Sequence, residues 1–191
     1  MTPTVDPKTK PLLDLIAALG EPPLSKQTVE AFRARRAQGR DIINRPPPPV
    51  AIVQNTEVRG AAGALNARLY DVAEGGDRPT LVYFHGGGFV YGDLDSHDGV
   101  CRRLAHHGAM RVLAVEYRLA PEHPFPAPVD DAIAAFANIL SEAGRYGVDA
   151  RRLAVGGDSA GACLATIVAR DAARRASPAP RFQLLLYPVV Q

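Results

Sequence analysis

Ser159 sits in the run Gly157-Asp158-Ser159-Ala160-Gly161, and His85 opens the run His85-Gly86-Gly87-Gly88-Phe89. A serine hydroxyl works as a nucleophile when a tight turn projects its Oγ and a base takes its proton. Gly157 and Gly161 leave room for backbone to pass close on both sides of such a turn. Acyl transfer also needs N–H donors aimed at the tetrahedral oxyanion, each worth roughly 3 kcal/mol. A loop of side-chain-free residues can turn its amides into a site in this way. The alternatives for a glycine run are a flexible turn or a phosphate cradle. A Walker loop ends in Gly-Lys-Ser/Thr, and a dinucleotide fingerprint reads G-x-G-x-x-G at the start of a helix. Neither pattern occurs at His85–Phe89.

The elements needed to hold these groups are legible in the apolar rhythm. Thr80-Leu81-Val82-Tyr83-Phe84 is a continuous apolar run, as expected of a strand buried on both faces, and it leads directly into the glycine loop. A helix is predicted from about Ser96 to His107, a second buried strand at Val112–Val115, and a helix over about Ala127–Ala143. Leu153-Ala154-Val155 is a third strand running into Gly156-Gly157. A helix over about Ala160–Ala176 and an apolar strand over Phe182–Val190 follow. Strand and helix alternating in this way build βαβ units and a parallel sheet. Ser159 then falls at a strand-to-helix junction, where the free N–H groups and positive end of the helix favour developing negative charge.

Upstream, Val50–Val72 alternates as an antiparallel hairpin turning near Gly60 and Gly63. Pro46–Pro49 is a stiff extended spacer and the clearest break in composition. Two short helices precede it. Leu12, Leu13, Leu15, Ile16 and Leu19 give one an apolar face, and Ser25 is the expected N-cap of a charged second helix through about Gly39. The chain is therefore read as a helical segment, 1–45, and an α/β domain, 46–191. Arg33, Arg35, Arg36 and Arg40 read as a solvated helix face.

Composition narrows the function classes. An apolar content of 47% with 22% charged residues is that of a globular domain. A net charge of +2 without a basic stripe argues against a nucleic-acid partner. The Leu12–Leu19 stretch contains Asp14 and is too short to span a membrane, so no membrane span is expected and a cytoplasmic location is the default reading. Cys101 and Cys163 form neither a disulfide framework nor a metal cluster, and no metal or organic cofactor is expected.

Taken together, these motifs resemble the hormone-sensitive-lipase branch of the α/β-hydrolases. The resemblance rests on Tyr83–Phe89, Gly92, the run Glu116-Tyr117-Arg118-Leu119-Ala120-Pro121-Glu122-His123-Pro124-Phe125-Pro126-Ala127, and Gly156–Gly161. It covers about Val50–Val190, and the helical N-terminus is similar to that family's cap. It implies an α/β-hydrolase fold with a mostly parallel sheet, an N-terminal antiparallel hairpin and a helical cap segment. It implies a short-chain ester hydrolase with Ser159 as nucleophile and the N–H groups of Gly87, Gly88 and Ala160 as the oxyanion hole. Ala162 and Cys163 depart from the Gly and Asn often found there. His85, Gly86 and Asp158 are read as supports: His85 orients the glycine loop, and Asp158 points away from its neighbour Ser159 and braces the turn.

In this family the triad order is Ser, then Asp or Glu, then His. His85, His97, His106, His107 and His123 all precede Ser159, and the C-terminal strands are expected to be missing from this chain. His106 and His107 read as helix-terminal, His123 as part of a turn, and none as the working base. Asp130 and Asp131 read as solvated residues at a helix start. Without its base a serine hydrolase loses about 10⁶ in kcat, so the chain alone is expected to be feeble or inactive on esters. An unshielded last strand is a template for association, which makes a homo-oligomer or a complementing C-terminal fragment the expected companion. The rival readings are a non-catalytic, receptor-like ligand binder, as the plant gibberellin receptor resembles this family, and an inactive remnant.

Overall fold

A computed structural model describes residues 5–18, 20, 22–38, 46–76, 78–175 and 178–189. The chain divides into two compact units, Met1–Gly39 and Arg40–Gln191.

The first unit contains α1 (Lys10–Ala18) and α2 (Val29–Gln38), separated by a 3₁₀ turn at Leu24–Lys26. The expected cap at Ser25 is corrected. Ser25 lies inside the 3₁₀ turn, and the Thr28 hydroxyl accepts from the Ala31 N–H at 3.2 Å at the start of α2. Both residues offer a capping oxygen, and backbone geometry rather than side-chain type selects between them. Arg35 and Arg36 are exposed, whereas Leu19, Gly39 and Arg40 lie outside the described residues.

The second unit is a six-stranded sheet in the order β1-β2-β4-β3-β5-β6. Its strands are β1 (Ile52–Arg59), β2 (Ala64–Asp71), β3 (Thr80–Phe84), β4 (Arg111–Val115), β5 (Leu153–Asp158) and β6 (Gln183–Leu186). The first two form the expected hairpin, Ile52 opposite Asp71 and Arg59 opposite Ala64, and β2 is antiparallel to β4. From there on every pairing is parallel: β3 with β4 and β5, and β5 with β6. Helices α3 (Asp98–Gly108), α4 (Ala127–Ser141) and α5 (Ala160–Arg174) make the crossovers.

Alternation along β3 shows how the layers are built. Val82 and Phe84 pack with Ala135, Phe136 and Ile139 of α4 and Leu164 and Val168 of α5. Leu81 and Tyr83 face the other way, into a cluster with Cys101 and Ala105 of α3. A strand sandwiched between helical layers is buried on both faces, and all five residues of β3 are buried, Thr80 being the one non-aromatic polar side chain among them.

Two expectations need revision. The last strand ends at Leu186 instead of running to Val190, because Tyr187 takes a positive φ of 38° that leaves the extended region; Val190 itself lies outside the described residues. Asp131 is fully buried, not solvated. Its Oδ2 accepts from Arg118 Nε at 2.7 Å and from the Arg118 N–H at 3.1 Å, and its Oδ1 accepts from Arg118 Nη2 at 2.9 Å and the Ala61 N–H at 3.1 Å. A carboxylate that satisfies two backbone amides and a guanidinium can afford burial. Among the described residues no helix is long and apolar enough to cross a membrane.

Candidate active site

Ser159 occupies the sharp corner between β5 and α5, with φ 50° and ψ −115°. A non-glycine residue held there costs about 1–3 kcal/mol and persists only when its surroundings fix it. They do so from both sides. The Ser159 N–H donates to the Leu186 carbonyl of β6 at 2.9 Å, and its carbonyl accepts from the Cys163 N–H at 3.1 Å. At Gly161 a Cβ would collide with the Phe84 carbonyl, so α5 can approach β3 this closely only with glycine there. Among the described residues no hydrogen bond reaches the Ser159 hydroxyl.

The glycine loop leaves β3 beside this corner. Gly87 has φ 127°, and a Cβ on it would overlap the Tyr91 carbonyl. The Gly87 carbonyl accepts from the N–H groups of Val90 and Tyr91 at 3.0 and 3.1 Å, which folds the loop back on itself. Among the described residues no acceptor faces the Gly87 or Gly88 N–H. Ala160 is the first residue of α5, where the N–H has no acceptor within the helix. The three amides expected to hold an oxyanion are thus uncommitted.

Asp158 joins the loop to the nucleophile corner. Its Oδ1 accepts from the Tyr83 hydroxyl at 2.7 Å and from the Gly86 N–H at 2.9 Å. Its Oδ2 accepts from the Tyr187 hydroxyl at 3.1 Å, and His97 Nε2 lies 3.4 Å from both oxygens. Burial alone would raise this carboxyl, but its contacts with His97, Tyr83 and the Gly86 N–H outweigh that and hold it at about 2. It is therefore an anion at neutral pH. Being fully engaged in bracing, it offers nothing to the Ser159 hydroxyl.

His85 is buried, stacked on Tyr117 at 4.4 Å between ring centroids, with Nδ1 2.7 Å from the Gly86 carbonyl. Burial holds its pKa down at about 4, so the ring is neutral at physiological pH. The carbonyl of Gly86 and the N–H of Gly87 belong to one planar trans peptide and point in opposite directions. Fixing the carbonyl on His85 therefore aims the Gly87 N–H the other way. Tyr117, whose hydroxyl donates to the His85 carbonyl at 2.7 Å, completes the clamp.

Among the described residues none of the other histidines hydrogen-bonds to the Ser159 hydroxyl. His97 lies at the start of α3 with Nδ1 3.0 Å from Ser96 Oγ, and His106 and His107 occupy the last turn of α3. His123 is in the loop before α4, its N–H donating to the Leu119 carbonyl at 2.8 Å. Among the described residues no cluster of three His, Cys, Asp or Glu could hold a metal ion. Sequence reading missed His97 and Tyr187 as partners of Asp158, since no local spacing links positions 97, 158 and 187. Tyr83 and Tyr117 were visible within the family-like runs, but not their contacts.

The sequence profile of the alpha/beta hydrolase fold family matches residues 81–191. The chain belongs to the alpha/beta hydrolase fold family. It is 39% identical over 189 residues to Esterase LipI of Mycobacterium tuberculosis, covering 97% of this chain and 57% of that protein. It is 42% identical over 192 residues to Carboxylic ester hydrolase LipN of the same organism, covering 97% of this chain and 50% of that one. Among solved structures, the ester-hydrolase EH1AB1 from the metagenome of Lake Arreo, complexed with a bipyridine phosphonate derivative, superposes with a TM-score of 0.93 at 43% identity. That match covers 98% of this chain and 61% of the hydrolase. The chain thus spans half to three-fifths of the length of these hydrolases. The resemblance to the hormone-sensitive-lipase branch, read first from the glycine and serine motifs, agrees with this hydrolase membership.

Proposed function

We propose that this chain carries the nucleophile and oxyanion hole of a carboxylic ester hydrolase acting on small-molecule esters with short acyl chains. Ser159 Oγ attacks the ester carbonyl carbon. The carbonyl oxygen, becoming an oxyanion, is held by the N–H groups of Gly87, Gly88 and Ala160. The alcohol leaves, and water hydrolyses the acyl-serine to release the acid and regenerate Ser159. The observation that carries this reading is the strained Ser159 corner set beside uncommitted loop amides. The esterase names of the relatives support it.

Proton transfer needs a base, and no histidine among the described residues contacts the Ser159 hydroxyl. The reading therefore assigns the triad acid and histidine to residues outside this sequence, on a continuing chain or a complementing fragment. The proportion of each relative that the chain spans is consistent with that. The helical segment 1–45 takes the part of a cap in the same reading.

The deciding experiment is hydrolysis of p-nitrophenyl acetate and butyrate by the 191-residue chain beside its Ser159→Ala variant. Equal, near-background rates are expected from the chain alone, with Ser159-dependent turnover appearing once the remaining triad residues are supplied. Turnover at esterase-like rates by the chain alone would overturn the assignment of the base. Saturable ester binding with no turnover even after supplementation would favour a receptor-like binder.

A further inference from the structure

His97 has no role in the chemistry above, yet its ring bridges the two ends of the glycine loop's anchorage. Its Nε2 lies 3.4 Å from both oxygens of Asp158, and its Nδ1 lies 3.0 Å from Ser96 Oγ. Ser96 is in turn knotted to Asp93. The Asp93 N–H donates to Ser96 Oγ at 2.9 Å, and the Ser96 N–H donates to Asp93 Oδ1 at 2.7 Å. Asp93 directly follows Gly92, where the glycine loop ends. Asp158 therefore holds the loop twice, at its entry through the Gly86 N–H at 2.9 Å and at its exit through His97. A segment carrying Gly86, Gly87, Gly88 and Gly92 has wide backbone freedom, and a tie at one end alone leaves the other free to swing.

Ser96 Oγ carries one hydrogen, which goes either to the Asp93 carbonyl, 2.9 Å away, or to His97 Nδ1. A neutral imidazole carries one N–H. Placed on Nδ1, it leaves the Nε2 lone pair facing an anion. Placed on Nε2, it points at the Asp158 carboxylate, and the bare Nδ1 accepts the Ser96 hydroxyl. The Asp93 N–H, the Ser96 hydroxyl and the His97 Nε2–H then donate in one direction and end on the carboxylate, and bonds chained in this way strengthen one another. A doubly protonated ring keeps the same Nε2–H bond, with Nδ1–H turned to Ser96 Oγ and the hydroxyl to the Asp93 carbonyl.

We propose that His97 is a positioning residue for the oxyanion amides: its Nε2–H, donated to Asp158, clasps the exit of the glycine loop to the strand that leads into Ser159. This rests on the reading of Ser159 as the nucleophile and of the Gly87 and Gly88 N–H groups as oxyanion donors. His97 acts through Asp158, and Ser96 sets the direction of its ring.

The test reads the proton and the loop separately. Imidazole nitrogen NMR of the full chain at pH 8, with the His97 signals assigned by their loss in His97→Gln, is expected to show a proton bound at Nε2. A ring protonated at Nδ1 alone would overturn the proposal. Hydrogen exchange then follows the N–H groups of Gly86, Val90 and Tyr91, whose bonds define the folded loop, with the buried strand residue Val82 as control. His97→Phe keeps an aromatic ring and removes both nitrogens. It is expected to speed exchange at the three loop amides at least tenfold and at Val82 less than twofold. His97→Gln, which presents an amide N–H toward Asp158, is expected to restore most of the protection. Ser96→Ala, which frees Nδ1 and leaves the ring in place, is expected to give a smaller rise of about threefold, and it decides the matter should the Phe variant not fold. Loop amides unchanged in these variants, or loop and control amides faster together, would overturn the proposal. Turnover of p-nitrophenyl butyrate is followed in parallel with Ser159 intact and the triad supplied. There His97→Phe is expected to lower kcat about tenfold with KM within twofold, and His97→Gln to recover kcat to within threefold. A loosened loop with no Ser159-dependent turnover in the parent would sink the hydrolase reading and leave the clasp standing. Parent turnover with loop exchange and kcat unmoved by His97→Phe would do the opposite.

Discussion

The Gly86 N–H donates to Asp158 Oδ1 at 2.9 Å, so one hydrogen bond ties the glycine loop after β3 to the strand that leads into Ser159. The geometry leaves no slack: a Cβ on Gly86 would strike the same carboxylate. Glycine loop and Ser159 are therefore registered to each other through a side chain that makes no hydrogen bond to the Ser159 hydroxyl.

Replacing that carboxylate should cost stability in graded fashion. Asp158→Ala leaves the Tyr83 hydroxyl and the Gly86 N–H without an acceptor, and a buried orphaned polar group costs about 1–3 kcal/mol. The expected loss is about 3 kcal/mol, read as a shift in the urea midpoint. Asp158→Asn keeps one acceptor oxygen and should lose about 1 kcal/mol. Equal midpoints for Ala, Asn and the parent would show that the network does not bear on stability.

The acid limb of the stability curve should have two parts. His85 is held at about 4 by burial, below its ordinary value near 6.5, so between those pH values the unfolded chain binds the extra proton. Stability is then intact above pH 6.5 and falls as pH drops toward 4, by roughly 3 kcal/mol in all. Asp158 is held at about 2, below the ordinary carboxylate value, and its contribution is lost lower still, as pH falls from about 4 through 2. Urea midpoints measured from pH 8 to pH 3 check this. In His85→Gln the fall between pH 6.5 and 4 should flatten while the lower limb remains. An unchanged slope would show that another group titrates there.

Asp131 shows what local reading lacks. Its position beside Asp130 near the start of α4 suits a solvated helix-terminal acid, and nothing within several residues contradicts that. Its partners are Arg118 and the Ala61 amide, 13 and 70 residues away, and only the folded domain brings them together. Removing one member of a buried ion pair costs about 3–5 kcal/mol. Asp131→Ala should therefore destabilise by about 3 kcal/mol in chemical denaturation, whereas Asp130→Ala should stay within about 0.5 kcal/mol, as ordinary surface changes do. Comparable midpoints for the two variants would refute the burial argument.

The same distinction runs through the fold. The β3 run, the hairpin turning at Gly60–Gly63 and the α5 start after Ser159 were legible because each is written in consecutive residues, through apolar period or glycine placement. The loop and serine motifs were legible because their chemistry requires small residues at fixed offsets. What stayed hidden was the wiring between segments. Asp158 receives His97, Tyr83 and Tyr187 from three separate parts of the chain, and a tyrosine in a buried strand reads simply as core. The true end of β6 was hidden for a related reason. Tyr187-Pro188-Val189 continues an apolar pattern, which does not report the positive φ at Tyr187 or its hydroxyl bond to Asp158.

Ser159 itself should be a place where function opposes stability. At φ 50° a side chain is strained and glycine is not, so Ser159→Gly relieves a cost of about 1–3 kcal/mol, partly offset by the greater freedom of glycine in the unfolded chain. The backbone bonds that hold the corner, from Ser159 N–H to Leu186 and from Cys163 N–H to Ser159, need no side chain and survive the change. The expected result is a variant at least as stable as the parent, by up to about 1 kcal/mol, with no Ser159-dependent ester turnover when the triad is complete. Ser159→Ala keeps the Cβ and with it the strain, so its midpoint should stay near the parent's. The pair separates loss of the hydroxyl from relief of the backbone. A Gly variant clearly less stable than the Ala variant would show that the corner is not strained by its side chain.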